Sequence, residues 1–324
     1  VSTQAPRFPF SRLFAVVVAA LAAGSCSVAT MRTTSSAPPT AEQMAQLWVE
    51  PEDPAARDLF WGPGGPEGAP ASTDVFRVTA LDETGYSRGY DVVGRDGREW
   101  KVKLGPEAQS EIVASRVLWA LGFHQPAMYG LESWTLDAVR APRAEGVARF
   151  RLKEGYRTRG TWSWQENPFV GTREFKGLLV AQLLLNNWDL KTSNNRIYAV
   201  AGVDETRRTF FVVQDLGAAL GATRWPTGTR NNLAHFERQQ FIKGVRPDGI
   251  IFDYGGRHRE LFQDIVPSDV VWTCRRLSQL TDRQWLDIFR AARYTDAISA
   301  HYIAKLQSKI HEGLAMLPQS GNDF

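Results

Sequence analysis

Cysteine is nearly absent: 324 residues hold only Cys26 and Cys274. If Cys26 is lipidated or removed with a leader, Cys274 has no partner. An intramolecular disulfide and a Cys-based metal site are then both excluded. Cys274 lies in the helical pattern "VVWTCRRL" and reads as a small buried hydrophobe. Long basic runs are missing too. No run of Lys/Arg exceeds two residues and the net charge is +3, so no nucleic-acid or membrane-surface role is suggested. The pairs Arg207–Arg208 and Arg275–Arg276 read as solvated faces. The five histidines (124, 235, 258, 301 and 311) lack metal-ligand spacing, and "HEGLA" lacks the second His of a zinc protease. The Gly-rich "GPGGPEG" has no Lys-Ser/Thr ending and cannot be a Walker-type phosphate loop. There is no internal repeat. The longest apolar stretch, "LFAVVVAALAA" (Leu13–Ala23), is too short for an ordinary transmembrane helix.

What is present fits a folded domain. The chain is 43% hydrophobic and 23% charged, the balance of a soluble globular protein with one large domain or two small ones. Its first 29 residues differ from the rest. Arg7 and Arg12 precede the apolar stretch and small residues, "GSCSVA", follow it, the layout of a secretory signal. Ser27-Val28-Ala29 suits ordinary cleavage. Alternatively "AGSC" resembles a bacterial lipobox, with Ala23 in place of the usual Leu and Cys26 as the lipidated first residue. Val1 fits an alternative start codon read literally, which suits a bacterial source. The expectation is an exported, periplasmic or cell-envelope protein that meets membrane only through a lipid on Cys26.

Residues 30–75, with "SSAPPT" and "WGPGGPEGAPAS", read as a flexible tether, on which Leu47-Trp48 and Leu59-Phe60-Trp61 are candidates for docking. From Asp74 the texture turns to strand. "DVFRVTALD" and "YDVVGRDGREWKVKLG" alternate apolar and polar residues, and "RDGR" is a hairpin turn. Gly105-Pro106 stops the last strand and opens a helix that ends at Gly122. Strand-like stretches follow at 128–136 and 147–152. Beyond them come a helix over 172–185 begun by Thr172, strands at 196–200 and 209–213 joined by "DETRR", and helices over 268–280, 282–293 and 296–317. Ser268 and Thr281 are the candidate N-caps among these. A sheet-rich lobe thus precedes a larger helical lobe, and the cleft between two lobes is a natural ligand site.

After the apolar "LLVAQLLL" comes "NNWDLKTSNNRIY" (Asn186–Tyr198), where Asp189, Lys191 and Asn194 crowd into one loop; further on Asp215-Leu216-Gly217 ends an apolar strand. Phosphoryl transfer needs such parts close together: a carboxylate for the acceptor hydroxyl, hard oxygens for Mg²⁺ and a cation on the phosphates. Singly, each residue has an ordinary reading. The loop could be a helix end rich in turn-forming Asn and Asp, Asp215 a strand-end turn, and Lys103 and Glu111 surface charges. Asn186, Asn187 and Asn195 read as turn and capping residues. Taken together and in order, the set favours phosphotransfer.

At these residues the chain resembles the protein-kinase-like superfamily. "DLKTSN" is similar to its catalytic loop, "DLG" to its metal motif and "EWKVKLG" to the strand carrying its nucleotide-pairing Lys. The resemblance spans roughly residues 76–220. It implies an α+β bilobal fold: a small antiparallel β-rich N-lobe with one helix over 76–155 and a larger helical C-lobe over 156–324. It implies ATP and Mg²⁺ as cofactors, Asp189 as catalytic base and Lys191 on the transferring phosphoryl, with Asn194 and Asp215 as metal ligands. Lys103 would hold the phosphates, with Lys101 as rival, supported by Glu111, with Glu107 as second candidate. Gly85, Ser87 and Gly89 of the strand-connecting loop would cover them. Asn187-Trp188 stands where His-Arg is usual, and neither G-x-G-x-x-G nor Ala-Pro-Glu is present. The resemblance is therefore nearer to the divergent HipA, Fam20 and lipid-kinase-like groups than to ordinary Ser/Thr kinases.

Two competing patterns are weaker. "GYSRG" matches the hydrolase nucleophile elbow, but a strand and hairpin follow it where that motif needs a helix. "TWSWQENPF" reads as packing beneath a lobe-connecting loop before it reads as an aromatic platform. Two functions follow. One is an exported phosphotransferase acting on a protein, lipid or small-molecule hydroxyl. The other is a catalytically inactive nucleotide- or partner-binding scaffold, which the scarcity of ATP outside the cytoplasm favours.

Overall fold

The computed structural model describes residues 29–32, 37–83, 85–137, 146–200, 209–223, 228–247 and 249–316. Cys26 and its leader, and the polar turn at 204–208, lie outside them. The chain runs through β1 (Thr30–Met31), α1 (Ala41–Met44), β2 (Val75–Asp82), β3 (Gly89–Val93), β4 (Glu99–Lys103), α2 (Pro106–Ala120), β5 (Met128–Leu131), β6 (Thr135–Leu136) and β7 (Ala148–Leu152). Six of these strands form one sheet in the order β5-β7-β4-β3-β2-β6. The period-2 pattern explains it. Phe76, Tyr90, Val92, Trp100, Val102 and Phe150 are buried together on one face, which leaves Lys101 and Lys103 of β4 for the other. α2 begins at Pro106, after Gly105 at φ 79°, and packs on β5 and β7. It stops before Gly122, at φ 100°, where a Cβ would meet the Val49 carbonyl at 2.2 Å.

The second half holds β8 (Tyr156–Trp162), α3 (Arg173–Leu184), β9 (Asn195–Val200), β10 (Thr209–Val213), α4 (Leu233–Arg238), β11 (Ile242–Arg246), β12 (Gly249–Phe252), α5 (Pro267–Leu277), α6 (Asp282–Ala291) and α7 (Asp296–Leu314). β1, β8, β9 and β10 make a four-stranded sheet, and α3, α5 and α7 pack together. Thr172 caps α3, and Thr281 caps α6 in a capping box with Gln284. Among the described residues no helix is long and apolar enough to cross a membrane.

Two expectations change. The segment read as a tether is packed against the fold from about Thr40 to Ala69. Leu47 and Leu59 are fully buried, the Trp48 indole donates to the Leu121 carbonyl at 2.7 Å, and buried Arg116 of α2 holds the Trp61 carbonyl at 2.9 Å. Its Pro and Gly content shapes an irregular path rather than a loose one, because its apolar side chains find the back of α2. Ser268 is not an N-cap: α5 starts at Pro267, and the Asp269 carboxylate accepts from the Val266 N–H at 3.0 Å. The packing reading of "TWSWQENPF" agrees with the structure: the segment joins the end of β8 to the core, where Trp162 and Trp164 are wholly buried. β8 and the β11–β12 hairpin had no clear alternating signal.

Candidate active site

β4 ends by presenting Lys103 to the mouth of α2. Its Nζ lies 2.7 Å from Glu111 Oε2, 2.8 Å from Asp215 Oδ1 and 3.5 Å from Glu107 Oε2. Lys101, one repeat back on the same face, pairs instead with Asp82 at 2.6 Å. The choice between the two lysines is thus made by where α2 docks. Glu107 is drawn away by Arg230, 2.5 Å distant, so Glu111 is the principal partner. Burial alone would lower the Lys103 ammonium pKa; Glu111 and Asp215 outweigh it and raise it above the ordinary lysine value. Burial would likewise raise the Asp215 carboxyl, but Lys103 and the Gly217 N–H hold it down at about 2. Glu111 is fully buried and also meets Arg149 at 3.2 Å.

The loop after α3 is set by its asparagines. Asn186 adopts φ 52°; its amide donates to the Gly221 carbonyl at 3.0 Å and its oxygen accepts from buried Lys309 at 2.6 Å. Asn187 donates to Gln182 at 2.8 Å, and Asn195 to the Trp162 carbonyl at 2.9 Å. Asn186 and Asn195 thus serve backbone carbonyls, as their turn-forming character suggests, while Asn187 bonds the Gln182 side chain. Trp188 is buried, with its indole donating to the Thr229 carbonyl at 3.2 Å. The Arg230 guanidinium sits 4.7 Å from that ring and 4.0 Å from the Tyr86 ring, so it bridges the β2–β3 loop to the helical lobe. Trp188 therefore anchors the loop by packing.

Asp189 follows directly, with Lys191 at 2.6 Å and Arg257 at 3.1 Å from its carboxylate. A 3₁₀ turn over Thr192–Asn194 brings Asn194 back, and its amide donates to the Asp189 carbonyl at 2.7 Å. The Asn194 carbonyl in turn accepts from the Gln214 and Asp215 N–H groups at 2.9 and 3.2 Å. Backbone pairing thus places the Asn194 and Asp215 side chains side by side. Gly217 lets α2 come close: a Cβ there would stand 2.6 Å from Glu107 Cβ, and the Ser110 hydroxyl donates to its carbonyl at 2.9 Å.

These groups face one cavity of about 610 Å³ between the two halves. Lys103, Asp189, Lys191, Asn194, Asp215, Gly85 and Ser87 line it. Glu111 stands behind Lys103, and Gly89 is held in β3 opposite Lys103, outside the lining. The Ser87 hydroxyl is buried with no hydrogen-bond partner among the described residues, as suits a group meant for a ligand. Sequence reasoning missed Arg149, Arg151, Arg196, Arg230 and Arg257. The alternation in "ARFRL" could have found the first two, and Arg196 stands two residues past Asn194 in the same stretch; Arg230 and Arg257 arrive from remote segments without a local signal.

The residues fit a magnesium ion with phosphates. Among the described residues no cluster of three or more His, Cys, Asp or Glu could hold a metal. Asn194 and half-exposed Asp215 give two hard oxygen donors, and Mg²⁺ commonly takes one or two carboxylates with phosphate and water completing its shell.

No family model and no curated protein matches the chain. Among solved structures it is similar to the Helicobacter pylori proinflammatory kinase CtkA, at 12% identity and TM-score 0.45, over 76% of this chain and 100% of that one. It is also similar to the Rio2 kinase of Chaetomium thermophilum, solved as an ADP/Mg²⁺–phosphoaspartate complex, at 11% identity and TM-score 0.28, over 74% of this chain and 72% of that one. Both likenesses are distant. A β-rich sheet with one docked helix, a Lys103–Glu111 pair between them and a helical half carrying the Asp189 loop make up an α+β fold.

Proposed function

We propose that the protein is a phosphotransferase that moves the γ-phosphoryl of a magnesium-bound nucleoside triphosphate, ATP in the first instance, to a hydroxyl acceptor. The observation that carries this reading is the convergence of Lys103, Asp189, Lys191, Asn194 and Asp215 on one cavity, with Lys103 pinned by a buried Glu111. Lys103 holds the non-transferred phosphates, and Glu111 fixes its position. The Ser87 hydroxyl and the neighbouring backbone cover them. Asn194 and Asp215 would hold Mg²⁺, which when bound neutralises phosphate charge. Asp189 orients the acceptor hydroxyl and takes its proton. Lys191, now on Asp189, moves to the transferring phosphoryl as its charge develops. In this reading the chain works in the cell envelope, after export by its leader.

The test is thermal unfolding of the protein with and without Mg-ATP, followed by a transfer assay over protein, lipid and sugar acceptors. Ligand at 100 times its Kd stabilises by about 2.7 kcal/mol. No shift with any nucleotide or metal sinks the nucleotide site. A shift with no transfer to any acceptor replaces the enzyme by a nucleotide-binding scaffold.

A further inference from the structure

Arg151 and Arg196 also line the cavity, and phosphate transfer gives them no task. Arg151 stands opposite Lys101 in the β4–β7 register, and its guanidinium is 3.8 Å from Glu111, on the fringe of that ion pair. Turning the Gln214 amide lets its oxygen accept from both end nitrogens of Arg151, each of which keeps a second N–H, and lets its nitrogen donate to the Tyr198 hydroxyl at 2.6 Å. The Tyr198 O–H is then available to a ligand. Arg196 lies two residues past Asn194. It donates to the Ser193 and Asn195 carbonyls at 2.6 and 2.8 Å, and no carboxylate pairs with it among the described residues. This end of the cavity therefore offers donors: guanidinium groups carry five N–H and no acceptor.

The same end is aromatic. The Tyr156 and Tyr198 rings lie 5.5 Å apart. A smaller cavity of about 150 Å³ shares Pro126, Tyr156 and Tyr198 with the main one and adds Trp119, His124 and Phe210. Flat apolar walls beside hydrogen-bond donors suit a planar ring whose edge bears acceptors. The purine edges decide between candidates. Guanine presents O6 and N7, two acceptors that match an Arg fork; adenine presents N7 beside a 6-amino donor, which would set N–H against N–H.

We propose that Arg151, flanked by Arg196 and Tyr198, reads the base and selects a 6-oxopurine, so that GTP is bound in preference to ATP. This rests on the nucleotide reading above and assigns the base within it. The test is calorimetric titration of the full chain with Mg-GTP, Mg-ITP, Mg-ATP and magnesium tripolyphosphate. GTP and ITP should bind at least about tenfold more tightly than ATP, the discrimination one good bidentate contact gives. Arg151→Met should bring the GTP/ATP ratio to about one. If that variant does not fold, Arg196→Met should lower the ratio, and the wild-type ratio stands as a test by itself. ATP binding as tightly as GTP, or more so, overturns base selection and leaves the nucleotide site intact. Tripolyphosphate binding as tightly as GTP overturns it as well, because only phosphate is then being recognised. Binding of none of the nucleotides overturns both readings.

Discussion

Lys103 Nζ lies 2.7 Å from Glu111 Oε2, joining the last residue of β4 to the second turn of α2 in a buried ion pair that also contains Arg149. Because Arg149 still faces Glu111 when the lysine is gone, Lys103→Met should keep its fold and lose transfer by at least about 10²-fold, the scale of removing one charge-stabilising donor. Glu111→Ala is the opposite case. It leaves Lys103 and Arg149 buried together without their shared carboxylate, at a cost of about 3–5 kcal/mol. Melting curves and initial rates on the two variants check the contrast; equal loss of stability would show that Arg149 does not compensate.

Asp189 and Asp215 should separate chemistry from binding. Asp215→Asn removes the ionised oxygen donor and should abolish the magnesium-dependent part of nucleotide stabilisation. Asp189→Asn should retain that stabilisation while transfer falls about 10²–10⁴-fold, as for loss of a general base. Normal transfer by Asp189→Asn would assign the acceptor proton to another group.

The Asp215 pKa of about 2 sets an acid limit. Its folded value lies below the ordinary carboxylate value of about 3.9. The pair with Lys103 therefore contributes stability above that ordinary value and loses it as pH falls from about 4 to about 2. Denaturant midpoints across this range should decline more steeply for the wild type than for Asp215→Asn. Parallel curves would mean that Lys103 does not hold the carboxylate in solution.

Lys309 predicts a slope of the same sense in a higher pH range. It is fully buried on α7, donates to the Leu184 carbonyl at 3.0 Å and to Asn186, and has no carboxylate partner among the described residues. Burial pushes its ammonium well below the ordinary lysine value. Between the folded and unfolded values the unfolded chain binds more protons, so stability rises with pH there. Midpoints at pH 7, 8 and 9 should climb in the wild type and flatten in Lys309→Met.

Deleting residues 1–72 should destabilise the protein where deleting residues 1–28 does not. Leu47 and Leu59 are buried against the fold, and each contributes about 1.5–3 kcal/mol on burial. Equal melting temperatures for the two truncations would return residues 30–75 to the role of a tether.

Much of this was legible in local pattern. Alternation fixed β2 to β4 and their buried face, Pro106 and Gly122 bounded α2, and the Thr172 and Thr281 caps bounded their helices, because each signal acts within a turn or a strand repeat. Asp189, Lys191 and Asn194 were legible because one loop carries them. Packing of the segment around Leu47 and Leu59 was harder to see, since Pro and Gly there obscure any period.

The resemblance preferred Lys103 to Lys101 and Glu111 to Glu107, but only the tertiary structure gives the pairing, Lys103 with Glu111 and Lys101 with Asp82, for two lysines on one face of a strand are equivalent until a helix docks beside one of them. The tertiary structure alone brought Arg230 and Arg257 beside the site, from two segments with nothing in common in sequence. And it gave Trp188 its reason, as a buried anchor between Thr229 and Arg230. The sequence by itself determined which chemical groups this protein owns and on which elements they stand; the docking of α2 and the return of the helical half decided which of them meet, because only packing fixes distance between groups far apart in the chain.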